Sequence, residues 1–292
     1  MNASTPYMER LLPILVYIQT SLEEDLSLEQ MADRASMSPF HFHRLFREAI
    51  GETLKRYTQR LRLERAAYEL GIRQASILQV ALGAGYQSHE TFTRAFKRHF
   101  GVRPKDFREP GRFSWQTPLP PGEPLNKYAT SYQLSKVRVQ QLQPIPLAFI
   151  RNLGPYVDVD VALFDQLLAW ARQKRLYRGD NLLIGIGHDA PSVTPPDKLR
   201  FDACLEVPEP FPAEGKIGYQ PMPEGHFAIV SYIGPYGTTL EQAYLEIFQQ
   251  VAQLERYDLI GLPIIEIYRT THINPDYDLN HTDICIPVAR KT

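Results

Sequence analysis

Residues 32–51 (ADRASMSPFHFHRLFREAIG) are repeated with changes at residues 81–101 (ALGAGYQSHETFTRAFKRHFG), and this repeat decides the fold of the first half. At an offset of 50, Phe42 aligns with Phe92 and Phe46 with Phe96. The offset changes by one residue inside the turn, where an insertion does least damage. Each copy predicts a short helix, a turn of small residues and a second helix, which is a helix-turn-helix unit.

The second helix of each copy has one apolar face and one polar face that ends in basic residues, at about 100° per residue. A helix that lies in a major groove needs such a face, because Arg can bind guanine bidentately while its neighbours reach phosphates. The residues predicted to contact DNA are Phe40, His43, Arg44 and Arg47 in the first copy, and Glu90, Thr93, Arg94, Lys97 and Arg98 in the second. Arg44 and Arg94 are the predicted base readers, and Arg47, Lys97 and Arg98 the predicted phosphate contacts. A surface helix that is merely basic is the alternative, and repetition at matched positions argues against it.

The charge is divided between the two halves of the chain. The whole sequence has 32 basic and 33 acidic side chains, a formal net charge of −1. Residues 1–112 carry 17 basic and 13 acidic side chains, whereas residues 113–292 carry 15 and 20. The near-neutral total therefore does not exclude a nucleic-acid partner, and the first half is the predicted polyanion binder.

A proline-rich stretch separates the two halves. Pro118, Pro120, Pro121 and Pro124 lie close together, and such density resists both helix and sheet. A length of 292 residues also suggests two domains. We therefore predict an all-α domain at 1–112, a linker at 113–133 and a second domain at 134–292.

The second half has an α+β pattern. Runs of β-branched and aromatic residues predict strands within 136–141, 148–153, 182–186, 201–207, 227–233, 264–268 and 284–288, with helices near 159–174 and 239–254. Residues 150–156 (IRNLGPY) parallel 230–236 (VSYIGPY), and 202–205 (DACL) parallel 283–286 (DICI). This duplication predicts two strand-helix-strand-strand units that form a pseudo-twofold pair, with a cleft for a small molecule between them. It also makes Cys204 and Cys285 equivalent, so we interpret both as packing residues.

Glu266 is an acidic residue in an apolar strand, flanked by Ile265 and Ile267. Period-2 alternation places it on the same face as Ile264 and Tyr268. A carboxylate in such a place is costly unless a cation or hydrogen bonds satisfy it. Exposure on the open side of the sheet is the alternative.

Two family resemblances support these predictions. Residues 1–112 resemble the DNA-binding domain of the AraC/XylS family, through the turn that contains Ala81, Gly85 and Tyr86, the run 92–97 (FTRAFK) and the tail 101–104 (GVRP). This resemblance implies seven helices, with two helix-turn-helix units joined by one long helix. Within that pattern, Pro13 is expected to kink or delay the first helix. Glu90 places a carboxylate on the second groove-facing helix, where it could accept from cytosine or face solvent.

Residues from about 135 to 292 resemble the GyrI-like effector-binding domain. The supporting residues are the duplicated Gly-Pro-Tyr, the stretch 185–191 and the run 263–268 (PIIEIY). The resemblance implies a pocket in which a Glu at this strand position and aromatic walls bind a hydrophobic or cationic effector. The predicted ligand-binding residues are Glu266, Tyr268, Tyr156, Tyr232, Tyr236 and Trp170.

These observations predict a transcription regulator that is not an enzyme and needs no metal or cofactor. Its predicted partners are double-stranded promoter DNA, a small effector and RNA polymerase, in the cytoplasm and without a membrane. Whether it activates or represses is left open. Two alternatives also remain for the second domain: a hydrolase in which Glu266 acts with Tyr268 or Tyr156, and a protein-interaction module.

Overall fold

The computed structural model describes residues 8–72, 75–109, 132–261, 263–270 and 279–291. The chain divides into two compact units, Met1–Phe113 with Pro210–Gln220, and Ser114–Glu209 with Pro221–Thr292. Most of the predicted linker, 113–133, lies outside the described residues. The predicted domain boundaries therefore stay predictions.

Seven helices lie between residues 8 and 109 of the described chain. They are α1 (Met8–Thr20), α2 (Leu28–Arg34), α3 (Pro39–Ile50), α4 (Leu54–Ile72), α5 (Ile77–Gly83), α6 (His89–Phe100) and α7 (Pro104–Phe107). α2 with α3 and α5 with α6 form the two predicted helix-turn-helix units, and α4 is the long helix that joins them. α1 includes Pro13 as an interior residue.

The two units are built by the same local signals. Ser38 and Ser88 cap the N-termini of α3 and α6, each accepting a hydrogen bond from the backbone three residues on. Gly51 and Gly101 end these helices in the left-handed conformation, at φ of +81° and +76°. Their apolar faces form the core, where Phe42, Phe46, Phe92 and Phe96 are fully buried. The repeat in sequence is thus a repeat in structure.

The turns of the two units differ at one strained position. Ser36 has a φ of +53°, whereas the equivalent residue of the second unit, Gly85, has a φ of +75°. A residue with a Cβ is destabilised by about 1–2 kcal/mol when its backbone is left-handed. A glycine avoids that strain, but its greater freedom in the unfolded chain lowers the free energy of unfolding by about 0.5–1 kcal/mol. Ser36 therefore carries strain that Gly85 avoids.

Ser36→Gly should accordingly raise the free energy of unfolding by about 0.5–1 kcal/mol. Urea unfolding followed by circular dichroism would measure the change. The reciprocal Gly85→Ser is the control and should destabilise, because the φ is unfavourable and a Cβ there would lie 3.2 Å from the Arg62 guanidinium. Destabilisation by Ser36→Gly would contradict this account.

Within its described residues, the second half forms a ten-stranded sheet with two α-helices. Its strands are β1 (Gln133–Leu134), β2 (Arg138–Leu142), β3 (Pro146–Leu153), β4 (Leu183–Gly187), β5 (Arg200–Glu206), β6 (Ile217–Pro221), β7 (Gly225–Ile233), β8 (Tyr257–Leu259), β9 (Ile264–Tyr268) and β10 (His281–Arg290), and its helices are α8 (Ala162–Gln173) and α9 (Thr238–Ala252). All seven predicted strands and both helices are present. The sequence analysis missed β1, β6 and β8, because β1 and β8 are very short and β6 contains Gly and Pro.

The sheet has the predicted internal symmetry. Its central strands run in the order β7-β10-β9-β4-β5-β3, all antiparallel to their neighbours. One repeat is β3-α8-β4-β5 and the other is β7-α9-β9-β10, so the two meet where β4 pairs with β9. Cys204 and Cys285 occupy equivalent buried places in β5 and β10, in agreement with a packing role.

Candidate nucleic-acid interface and effector pocket

The first candidate DNA-contacting surface lies on α3. Phe40 is 80% exposed although its side chain is entirely apolar, and Arg44 and Arg47 are exposed beside it. His43 is half-buried. The face of α3 opposite to the core therefore presents an aromatic ring in solvent next to two guanidinium groups.

The second candidate surface lies on α6. Glu90, Arg94, Lys97 and Arg98 are exposed, whereas Thr93 is half-buried. The Thr93 hydroxyl oxygen is buried and has no hydrogen-bond partner among the described residues. Four of the five predicted residues thus share the exposed face, and Thr93 lies at its edge.

Both surfaces keep their basic side chains unpaired. Within the described ranges, no ion pair involves Arg44, Arg47, Arg94, Lys97 or Arg98. The carboxylate of Glu90 is held differently: hydrogen bonds from its own backbone amide and from the Ser88 hydroxyl keep its pKa below the usual value. The two surfaces therefore offer five cationic groups and one carboxylate that is ionised at neutral pH.

The second candidate site centres on Glu266 of β9. Tyr244 of α9 donates a hydrogen bond from its hydroxyl to Oε1 at 2.5 Å, and the Tyr268 hydroxyl donates to Oε2 at 2.7 Å. The phenols therefore satisfy both oxygens of a half-buried carboxylate. This arrangement disfavours the alternative prediction, a Glu266 side chain exposed on the open face of the sheet.

Burial dominates the electrostatics of this cluster. It raises the pKa of Glu266, and the two tyrosine hydrogen bonds oppose that rise without cancelling it. It also raises the pKa of Tyr244 and Tyr268 far above the ordinary value, and the neighbouring carboxylate adds to both shifts. A cation brought into this site would stabilise the charged form of Glu266 and lower its pKa.

A glycine makes room for the cluster. Gly185 of β4 is the register partner of Glu266 and is also its equivalent in the repeat, at an offset of 81 residues. A Cβ on Gly185 would lie 2.6 Å from the Tyr268 hydroxyl oxygen and 2.6 Å from Cζ of Phe201. The repeat therefore has an acidic side chain on one strand and, at the equivalent position of the other, a glycine against which Tyr268 and Phe201 pack closely.

Two further predicted tyrosines lie near the cluster. The Tyr236 ring is 6.0 Å from the Tyr268 ring, and its hydroxyl bonds to Thr282 Oγ1 at 2.7 Å. Tyr156 donates from its hydroxyl to the Asp189 carbonyl at 2.8 Å and contributes to the raised pKa of Tyr244. Glu266, Tyr268, Tyr236 and Tyr156 are thus brought together.

The remaining two predicted wall residues are in the core. Tyr232 is fully buried and donates from its hydroxyl to the Pro235 carbonyl, and its ring lies 5.9 Å from the Tyr132 ring. Trp170 lies on the buried side of α8, six residues beyond Phe164. Both side chains occupy packing positions.

Two residues of the cluster were missed by the sequence analysis. Tyr244 binds Glu266 directly, and the Phe164 ring lies 5.3 Å from the Tyr268 ring, edge to face. Both are on helices, where the helical pattern marks a buried face without saying which strand lies beneath it. The signal that could have suggested Tyr244 is its place on the same helix as the buried Ala243, Ile247 and Phe248.

The comparison with known families decides the nature of the second half. Residues 135–289 match the family described as the GyrI-like small molecule binding domain, and this match spans more than half of the chain. The chain belongs to the GyrI-like family. Residues 31–110, ahead of the GyrI-like domain, match a helix-turn-helix domain family.

Curated relatives cover the helix-turn-helix region. The probable transcription factor PqrA of Proteus vulgaris is 39% identical over 100 residues, which are 34% of this chain and 82% of that protein. The TetD protein of transposon Tn10 from Escherichia coli is 37% identical over 95 residues, 32% of this chain and 69% of that protein. The right origin-binding protein of Escherichia coli K12 is 32% identical over 134 residues, so the match spans 46% of its length and 44% of this chain.

These comparisons confirm the predicted architecture, a helix-turn-helix region followed by a GyrI-like domain. The predicted small-molecule-binding domain agrees with the description of the GyrI-like family, and the relative PqrA is described as a probable transcription factor. In the described part of the chain, no helix has both the length and the apolar character needed to cross a membrane. No group of three or more His, Cys, Asp and Glu residues in that part could hold a metal ion.

Proposed function

We propose that α3 and α6 enter successive major grooves of promoter DNA while the GyrI-like domain binds a small hydrophobic cation at Glu266. The observation that carries the DNA-binding proposal is the pair of equivalent exposed faces, each with unpaired basic side chains. Successive major grooves on one side of a duplex are about 34 Å apart, and one rigid helix between two recognition helices suits that spacing. A single chain can then bind an asymmetric operator.

Arg94 and Lys97 have different proposed roles, and a pair of variants separates them. Arg94→Ala should cost about 1–3 kcal/mol on the specific site and relax preference at one base pair, because a bidentate base contact is lost. Lys97→Ala should weaken specific and random DNA alike and flatten the salt dependence. Fluorescence anisotropy against both DNAs over a salt series measures these effects. Equal losses on both DNAs for Arg94→Ala would contradict its role as a base reader.

The effector proposal rests on Glu266 as a half-buried carboxylate beside several phenol rings. Transfer of an ionised carboxylate from water is costly, and two phenol hydrogen bonds offset only part of that cost, as the raised pKa indicates. A cation with an apolar body would supply the missing charge and could lie against the aromatic faces of Tyr236 and Tyr268. The chemistry therefore favours a hydrophobic cation over a neutral or anionic effector.

Glu266→Gln tests this proposal with little change in volume. We expect a loss of about 10- to 100-fold in affinity for tetraphenylphosphonium, since the amide keeps the shape but removes the charge-assisted interaction. Isothermal titration would measure it, with tetraphenylborate as a control of similar shape and opposite charge. DNA affinity without a ligand should be unchanged. Equal binding of the two ions by the wild type, or unchanged affinity in the variant, would contradict the proposal.

A binding role is favoured over the hydrolase alternative. Both Glu266 oxygens already accept hydrogen bonds from phenols, so a water molecule would have to compete with Tyr244 and Tyr268 for the carboxylate. We therefore propose that the chain is not an enzyme. Repeated turnover of an activated ester that is lost in Glu266→Gln would favour the hydrolase instead.

We also infer that the DNA-bound chain acts on RNA polymerase, because its relative PqrA is described as a probable transcription factor. It would then work in the cytoplasm, with the DNA it regulates. In vitro transcription from a bound promoter, with and without the cation, would test this. A promoter that is occupied while its transcript level is unchanged would argue against it.

A further inference from the structure

The two groove-facing helices share one residue and differ at another. At the offset of 50, Arg44 of α3 aligns with Arg94 of α6, and Phe40 aligns with Glu90. Phe40 and Glu90 are each the second residue of their helix, directly after equivalent Ser caps. The two helices therefore carry the same guanidinium group at one matched position. One turn earlier, α3 carries an apolar ring and α6 carries a carboxylate.

Phe40 can recognise only an apolar feature of a base. Its ring is 80% exposed and has no hydrogen-bonding atom, although the adjacent helix face buries two other phenylalanines completely. In the major groove the apolar group at a base edge is the thymine methyl group. The exposed ring is therefore suited to contact thymine.

Glu90 can recognise only a donor. Its carboxylate is exposed at the start of α6, and an ionised carboxylate accepts hydrogen bonds and donates none. Cytosine presents the N4 amino group in the major groove, whereas adenine presents N6 beside the acceptor N7, which repels a carboxylate. Cytosine is therefore the base that suits Glu90.

The helix geometry sets the distance between the two contacts in each half-site. Residues four apart on a helix are separated by about 6 Å along its axis. Base pairs are about 3.4 Å apart along the duplex. The base beside Phe40 or Glu90 should therefore lie about two base pairs from the guanine bound by the Arg of the same helix.

We propose that Phe40 and Glu90 make the two half-sites of the operator different. Each half-site has a guanine, bound by Arg44 or Arg94. About two base pairs away, the half-site bound by α3 has a thymine and the half-site bound by α6 has a cytosine. This inference rests on the proposed function, in which α3 and α6 are the recognition helices.

Selection of duplexes from a random DNA library by the full-length chain tests the proposal. The wild type should enrich two guanines about one helical turn apart, with thymine beside one and cytosine beside the other. Glu90→Gln should shift the cytosine to adenine, because Gln binds adenine bidentately. Phe40→Glu should replace the thymine by cytosine. Each preferred base should exceed the others by about 5- to 150-fold, the range expected of one good base contact.

The controls separate this inference from the proposed function. Glu29→Gln removes an equal charge from α2 and should leave both half-sites unchanged, and circular dichroism should show every variant folded. If the wild type enriches a two-part site whose base opposite Glu90 is the same in Glu90→Gln, the inference is overturned while the DNA-binding proposal stands. If the wild type enriches no sequence, the proposed function fails and the inference fails with it.

Discussion

Asp202→Asn is expected to lower the free energy of unfolding by about 3–5 kcal/mol, the cost of removing one partner of a buried ion pair. Asp202 of β5 is fully buried and accepts two hydrogen bonds of 2.7 Å from the Arg151 guanidinium of β3. His188 lies 2.6 Å from its second oxygen. The amide would remove the carboxylate that pairs with the Arg151 guanidinium in the interior. Urea unfolding followed by tyrosine and tryptophan fluorescence would measure the loss.

The duplication supplies a matched control, because Asp283 is the equivalent residue of the second repeat. Its partners are Arg138, Arg269 and the Ser231 hydroxyl, and the two arginine side chains are 45% and 40% exposed. Water can solvate both guanidinium groups when the carboxylate is removed, so Asp283→Asn should cost only about 1 kcal/mol. If the two variants lose similar amounts of unfolding free energy, burial of the arginine is not the reason for the large effect expected of Asp202→Asn.

The pH dependence of the Asp202 effect has a definite sign. Burial alone would raise the pKa of Asp202, but the ion pair with Arg151 outweighs it and holds the pKa well below the ordinary value. A carboxylate with a lowered folded-state pKa stabilises fully above its unfolded pKa of about 3.9 and loses that contribution as the pH falls below it. The difference between wild type and Asp202→Asn should therefore be constant near neutral pH and shrink below about pH 4.

The sequence predicted those features that depend on local order. The two helix-turn-helix units follow from repeated caps, glycines and phenylalanine spacing, and Glu266 is conspicuous because a carboxylate interrupts an apolar strand. Strand alternation could not distinguish Tyr236, beside the cluster, from Tyr232, whose hydroxyl is bound within its own turn. The alternation of neighbouring residues predicts which face of a strand a side chain occupies. How deeply that side chain is buried depends on the elements that pack against the strand.

The contacts around Glu266 depend on pairings distant in sequence. Tyr244 reaches Glu266 only because α9 lies above β9. Gly185 is opposite Glu266 only because β4 and β9 meet at the junction of the two repeats. Neither relation follows from the periodicity of one segment, and this explains why both residues were absent from the predicted site.

Gly185→Ala is expected to disrupt the cluster around Glu266. The new Cβ would lie 2.6 Å from both the Tyr268 hydroxyl oxygen and the Phe201 ring, so at least one of these side chains must move. Overpacking of this kind costs about 1–3 kcal/mol. Displacement of Tyr268 also removes its hydrogen bond to the Glu266 carboxylate, a further loss of about 1.5–3 kcal/mol. Unfolding experiments would detect both losses together, and affinity for tetraphenylphosphonium should fall with them.

Gly187 provides the control for Gly185 on the same strand. A Cβ there would meet the Tyr156 hydroxyl at 3.5 Å, an ordinary van der Waals contact, so Gly187→Ala should change stability by less than about 1 kcal/mol and retain cation binding. The two variants add the same methyl group two residues apart and differ only in what the group meets. If both variants lose stability and affinity equally, close packing against Tyr268 and Phe201 is not the reason for a glycine at position 185. A large loss confined to Gly185→Ala would mean that one repeat supplies the carboxylate of the cluster and the other supplies the glycine that lets Tyr268 reach it.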